Sequence, residues 1–205
     1  GSVLYFAESR GSQRLSSRNE IDLRSEWYHD FADGRRLTAG LDVFNLTNLT
    51  IEAWVKPAGT GFRVILMKGD HGYGLAVDGN NYLRYFIDST TQNSLRSIRP
   101  LEMERDAEGN VLSTVAWNHV AVVVDRTANT TTFYINGKPA GTFASSVVRN
   151  NAGPLILGKQ GSVATANYFQ GLMDEVRLWN QPRTDLEVEL NAFTPLLGTA
   201  PPGLI

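Results

Sequence analysis

Apolar and polar residues alternate over short stretches of this chain, and glycine, asparagine, aspartate and proline separate the stretches. That is the pattern of β-strands joined by tight turns. Three stretches are clearest: Thr50-Ile-Glu-Ala-Trp-Val-Lys-Pro57, Trp117-Asn-His-Val-Ala-Val-Val-Val-Asp125 and Phe169-Gln-Gly-Leu-Met-Asp-Glu-Val-Arg-Leu-Trp-Asn180. In the first, Ile51, Ala53 and Val55 share one face while Glu52, Trp54 and Lys56 share the other. The pattern leaves open which face is core, so Trp54 is either a groove residue or a core residue under a third layer. In the second, residues 120–124 are apolar throughout, which predicts a central strand covered on both faces. His119 beside it reads as a hydrogen-bonded residue at the edge of the core rather than a catalyst. In the third, strict alternation sets Leu172, Asp174, Val176 and Leu178 in one row, so Asp174 is expected to face the core.

Turn signals place hairpins between further strands as well. Asp78-Gly-Asn-Asn81 connects two of them, residues 127–130 connect two more, and Asn136-Gly137 is the strongest two-residue hairpin signal in the chain. Residues 88–114 are polar and of mixed charge, and are expected to form an extended hairpin at a sheet edge with its turn at 106–110. Thr184 with Glu187 spells a capping box that opens a short helix reaching about Asn191. Residues 3–6 read as a first strand pairing near the last one, and residues 195–205 as a Gly/Pro-rich linker into a further domain.

Composition narrows the class. The 205 residues are 42% hydrophobic and 20% charged, which is globular and large enough for one sizeable all-β domain. A net charge of -2 offers no general attraction to phosphate backbones or anionic membranes, so neither nucleic acid nor membrane insertion is expected. The chain has no cysteine, which excludes a disulfide framework and a thiolate metal site. Gly1-Ser2 directly before strand-like residues has the look of a cloning remnant, and any export signal would lie upstream of it.

Five phrases in order carry a family resemblance: "TIEAWVKP", "WNHVAVVVD", "FYINGKPAGT", "LILGK" and "FQGLMDEVRLWN". With them the chain resembles the laminin G-like and pentraxin-like jelly rolls of the concanavalin A-like superfamily over roughly residues 50–190. The resemblance implies an all-β, two-sheet antiparallel jelly-roll sandwich with one short C-terminal helix, here taken as one domain over residues 1–194 with a tail at 195–205. It also implies recognition of a glycan or protein ligand, sometimes with calcium. In Lys68-Gly-Asp-His-Gly72, Asp70 matches the position of an acidic calcium ligand in pentraxins. The second pentraxin loop corresponds here to Lys159-Gln-Gly-Ser-Val163, too poor in acids for a paired-calcium site. The aspartate that often follows the opening strand is replaced by Ala7, with Glu8 as the nearest stand-in. Asp174 either shares a structural calcium or accepts hydrogen bonds, since a carboxylate facing a core needs partners.

Candidate ligand-binding residues are Trp27, Tyr28, His71 and Tyr73, with Asp70 and Asp174 as candidate metal ligands. Trp27 and Tyr28 fall in a segment longer and more charged than its family counterpart, where insertions on a rigid scaffold tend to carry binding residues. They read either as an exposed aromatic platform for a sugar ring or as aromatics packed on the sheet. Glu102, Glu104 and Asp106 alternate as glucanase carboxylates do. Their order and context differ from the catalytic pattern, so a solvated strand face is expected, and no enzyme. The expected function is a non-catalytic recognition module of a bacterial surface or secreted multidomain protein, binding a glycan or a protein partner. The alternatives are a structural spacer in an adhesin or toxin, which would lack clustered exposed aromatics, and a glucanase-type hydrolase.

Overall fold

The computed structural model describes residues 2–5, 23–30, 36–43, 48–69, 72–87, 94–149, 151, 153–160, 167–196 and 201–205. The chain divides into two compact units, Gly1–Leu46 and Thr47–Ile205. The first holds an antiparallel sheet in the order β1 (Ser2–Tyr5), β2 (Leu23–Asp30), β3 (Arg36–Val43). β1 pairs with β2 in antiparallel register.

The second unit is a sandwich. One five-stranded sheet runs β13 (Lys138–Phe143), β12 (Thr130–Ile135), β11 (Asn118–Asp125), β4 (Leu49–Pro57), β15 (Gly171–Trp179). The other runs β14 (Leu155–Leu157), β5 (Arg63–Lys68), β6 (Gly74–Val77), β7 (Tyr82–Phe86), β8 (Ser94–Pro100). A separate hairpin pairs β9 (Met103–Arg105) with β10 (Val111–Val115) around the turn at Asp106, so the polar segment splits between a sheet edge and this hairpin. Asn136 and Gly137 take φ values of 51° and 72°, which suits the tight turn joining β12 to β13.

Alternation then sorts the side chains. Leu49, Ile51, Ala53 and Val55 of β4 are 0% exposed, as are Val120, Val122 and Val124 of β11 and Phe133 and Ile135 of β12, and together they form the inner face of their sheet. The outer face is covered by a third layer, helix α1 (Asp185–Phe193), which sets Val188 against Ala121, Val123 and Tyr134. The capping box at Thr184 is formed, and the Tyr134 hydroxyl donates to Asp185 Oδ1 at 2.6 Å. β11 is therefore covered on both faces, as its sequence predicts.

β15 departs from strict alternation. Asp174 lies opposite Trp54 and Arg177 opposite Glu52, so Glu175 and Val176 together oppose Ala53 in a bulge, with Glu175 at φ 51°. The extra residue flips the side-chain parity. Arg177 and Trp179 lie buried on the outer face, and Asp174, on that same face before the bulge, is exposed to solvent. The expectation that Asp174 faces the core is thus corrected. Gly171 opens the strand at φ +129°, where a Cβ would stand 2.2 Å from the Lys56 carbonyl oxygen. Residues at the C-terminal end reach back to this strand. Trp179 bridges to Leu204, and Ile205 N donates to Leu178 O at 2.9 Å.

Under α1 lies Glu52, 0% exposed. It accepts from Trp179 Nε1 at 3.2 Å and from Asn191 Nδ2 at 3.2 Å, and stands 3.8 Å from Arg177 Nη1. Burial pushes its carboxyl above the ordinary value, and the Asn191 and Trp179 hydrogen bonds and the Arg177 charge pull it back. Arg177 in turn donates to the carbonyls of Asn191 (3.0 Å) and Thr194 (3.5 Å). Removing one member of such a buried set strands the others. We expect Glu52→Ala to lower the unfolding free energy by about 3–5 kcal/mol in urea denaturation, and Glu52→Gln to cost less. Equal stability of wild type and the alanine variant would show that the set contributes no net stabilisation.

Candidate functional site

Of the residues singled out from the sequence, the structure describes the side chains of Tyr73 and Asp174. Trp27 and Tyr28 lie on β2 of the first unit, in a strand rather than a loop. Asp70 and His71 lie outside the described residues. Tyr73 is 2% exposed, and burial pushes its phenol well above the ordinary range. Its backbone is tied on both sides, Lys68 N donating to Tyr73 O at 2.8 Å and Tyr73 N to Arg149 O at 2.9 Å. The expected ligand-facing ring is therefore a core ring, drawn in by its apolar area. Asp174 accepts from the amide of Glu175 at 2.8 Å. Among the described residues, no three His, Asp or Glu side chains converge in a way that could hold a metal ion.

What the structure does assemble is on the outer face of β4 and β15, where α1 ends. The helix covers Glu52 and leaves the next residue of that row, Trp54, half-buried at the wall of an open cleft of about 300 Å³. Glu175, Arg177, Asn191, Phe193 and Pro195 line it with Trp54. Phe193 is 68% exposed. The bulge puts Glu175 at the edge of the cleft, where it pairs with Arg177 Nη2. The cleft thus combines an aromatic wall with a carboxylate, a guanidinium and an amide, the mixture typical of small-ligand sites.

Behind Trp54 stands His119, 1% exposed and edge-on to the indole with ring centroids 5.7 Å apart. Its amide donates to Asn136 Oδ1, while Nδ1 has no hydrogen-bond partner. Burial, with the Arg177 charge second, lowers its pKa from the ordinary 6.5 to about 4, so the ring is neutral at pH 7. The sequence singled it out as a core-edge residue, and burial agrees, although the ring nitrogen goes unpaired.

The alternating carboxylates are engaged one by one. Glu104 accepts from Lys56 Nζ at 2.5 Å and from Thr114 Oγ1 at 2.6 Å, which holds its carboxyl below the ordinary range. Asp106 closes its own turn by accepting from Glu108 N and Asn110 N. Glu102 is 3.9 Å from Arg99 Nη1. Each is held by its own partner rather than paired with another carboxylate around a reacting bond.

A second hollow, of about 350 Å³, lies where β4 and β15 reach the β9–β10 hairpin. Lys56, Gly59, Asn81, Thr114, Gly171 and Leu172 line it, and Leu172 is 58% exposed. Neither hollow was legible from motifs. The only signal was the shared row of Glu52, Trp54 and Lys56, and it needed the helix position to say which end stays open.

The sequence model of the concanavalin A-like lectin/glucanases superfamily matches residues 31–189. No curated protein matches the sequence. Among solved structures the chain is similar to a candidate carbohydrate binding protein from Bacteroides ovatus, with TM-score 0.60 and 18% identity over 93% of this chain and 60% of that one. It is similar to the heptameric SAP-like pentraxin of Limulus polyphemus, with TM-score 0.55 and 16% identity over 72% of this chain and 70% of that one. It is also similar to the CBM40 of the Ruminococcus gnavus IT-sialidase, with TM-score 0.55 and 16% identity over 72% of this chain and 83% of that one. The chain spans about 60% of the length of the Bacteroides protein. At such identities the likeness is one of fold.

His119 yields a pH prediction. Its folded pKa, about 4, lies below the ordinary 6.5, so its contribution to stability is complete above pH 6.5 and is lost as pH falls toward 4. The loss is about 3 kcal/mol. Urea midpoints measured from pH 7 to pH 4 are expected to fall more steeply for wild type than for His119→Gln. Parallel profiles would show that burial of this ring does not set the acid sensitivity.

Proposed function

The chain belongs to the concanavalin A-like lectin/glucanases superfamily, and from that membership and the cleft beside Trp54 we propose that it is a non-catalytic carbohydrate-binding module. The observation that carries this reading is the half-buried indole beside hydrogen-bonding side chains in an open hollow. A pyranose has an apolar face of C–H groups and a rim of hydroxyls. An indole serves the first, and Glu175 and Asn191 serve the second. The likeness to a candidate carbohydrate binding protein of Bacteroides and to the CBM40 of a Ruminococcus sialidase points the same way. The engaged state of Glu102, Glu104 and Asp106 supports a binding rather than a hydrolytic role.

In this reading the module works outside the cell or on its surface, in a bacterial multidomain protein, and presents glycan to neighbouring domains. Calcium would assist through the loop that carries Asp70. Among the described residues, no helix is long and apolar enough to cross a membrane.

Titration calorimetry against a panel of neutral and acidic oligosaccharides, in calcium and in EDTA, tests the proposal. We expect binding to at least one series. Trp54→Ala is expected to weaken it at least tenfold, about 1.4 kcal/mol, with melting behaviour checked alongside. Equal affinity in calcium and EDTA would remove the ion from the reading. Failure to bind any glycan would overturn the reading and favour a spacer.

A further inference from the structure

The two hollows adjoin. Trp54 walls the first and Lys56 the second, and these residues are two apart on β4, on the same face. Their β15 partners, Asp174 and Leu172, are likewise two apart. From the level of Glu52 and Arg177 to that of Pro57 and Gly171 is five residues of unbroken β4, about 17 Å at about 3.4 Å per residue. We infer that the two hollows form one groove that takes an internal stretch of a linear, uncharged polysaccharide. The inference rests on the reading of the Trp54 cleft as a sugar site, and it specifies the ligand of that site.

Two features choose this occupant over a terminal sugar or an acidic one. The first is the spacing of apolar surface. Phe193 (68% exposed) and Trp54 line the first hollow and Leu172 (58% exposed) the second, so apolar surface recurs from one hollow to the other. Successive rings of a glycan chain present C–H faces at a repeat, with hydroxyls between. A single terminal sugar would use only one of these surfaces.

The second is charge. The cations along the groove are already held: Lys56 by Glu104, and Arg177 by Glu175 and Glu52. Asp174 adds an exposed carboxylate beside Trp54. A uronate or sialate placed here would meet negative charge and displace existing ion pairs to find a cation, whereas hydroxyls can donate to Asp174 and Glu175 without such cost.

The test uses oligosaccharides of two, four and six units from linear glucan, xylan and mannan, with oligogalacturonate and sialyllactose as acidic probes, by titration calorimetry on the full chain. The expected result is that at least one neutral series binds, with affinity rising at least tenfold from two to six units. Leu172→Ser, at an exposed position that spares the fold, should bring the hexasaccharide down toward the disaccharide. Trp54→Ala should weaken every length. Equal affinity for two and six units, with Trp54 still required, would overturn the extended groove and leave the sugar site standing. Preference for an acidic probe would overturn the uncharged occupant. Absence of binding to every probe would remove the sugar site and the groove with it.

Discussion

A carboxylate buried at zero exposure is the constraint on which this architecture turns. Glu52 sits in the middle of β4, and an acid there persists only where donors converge on it. Two side chains donate hydrogen bonds, the indole of Trp179 late in β15 and the amide of Asn191 in the last turn of α1, and the guanidinium of Arg177, two residues before Trp179, sets an opposite charge 3.8 Å away. The set therefore fixes where the helix ends as well as where it lies. Arg177 then supplies donors to the carbonyls of Asn191 and Thr194, groups that a helix C-terminus leaves without intrahelical partners. With the helix stopped there, the outer row of β4 is covered at Glu52 and open at Trp54.

The β15 bulge is the second half of the same arrangement. Without the extra residue, one parity would run the length of β15. Arg177 would then share a face with Met173, opposite the inner residue Val55, and could not meet Glu52. One inserted position at Glu175 lets the first half of the strand expose Leu172 and Asp174 while the second half buries Arg177 and Trp179 on the same face. Bulges commonly re-aim side chains beside ligand sites, and this one delivers Glu175 to the mouth of the cleft.

How much of this was legible beforehand follows from the range of the forces involved. Local signals read true: Asn136-Gly137 forms its turn, Thr184 and Glu187 form their box, and the unbroken apolar run of β11 is covered on both faces. The segments carrying Trp54 and Trp179, and the one that follows Trp117, are neighbouring strands in the order β11-β4-β15. What failed depended on non-local facts. Asp174 was assigned to the core by a parity rule that one bulge reverses. Tyr73, a candidate ligand contact, is drawn inside by its apolar area.

Trp54 shows why a fold this legible can still hide its site. From the sequence, its row with Glu52 and Lys56 mixes charge and aromatic character, and such a row suits a solvent face, a covered face or a groove. All three conditions occur along it within five residues: Glu52 is buried under α1, Trp54 is half-buried at the cleft, and Lys56 reaches out to Glu104 on the hairpin. The local pattern is the same at each step, and only the point at which the third layer stops distinguishes them. Because that point is set by Glu52 and its partners, the buried acid that anchors the helix also leaves the neighbouring indole half-buried at an open cleft.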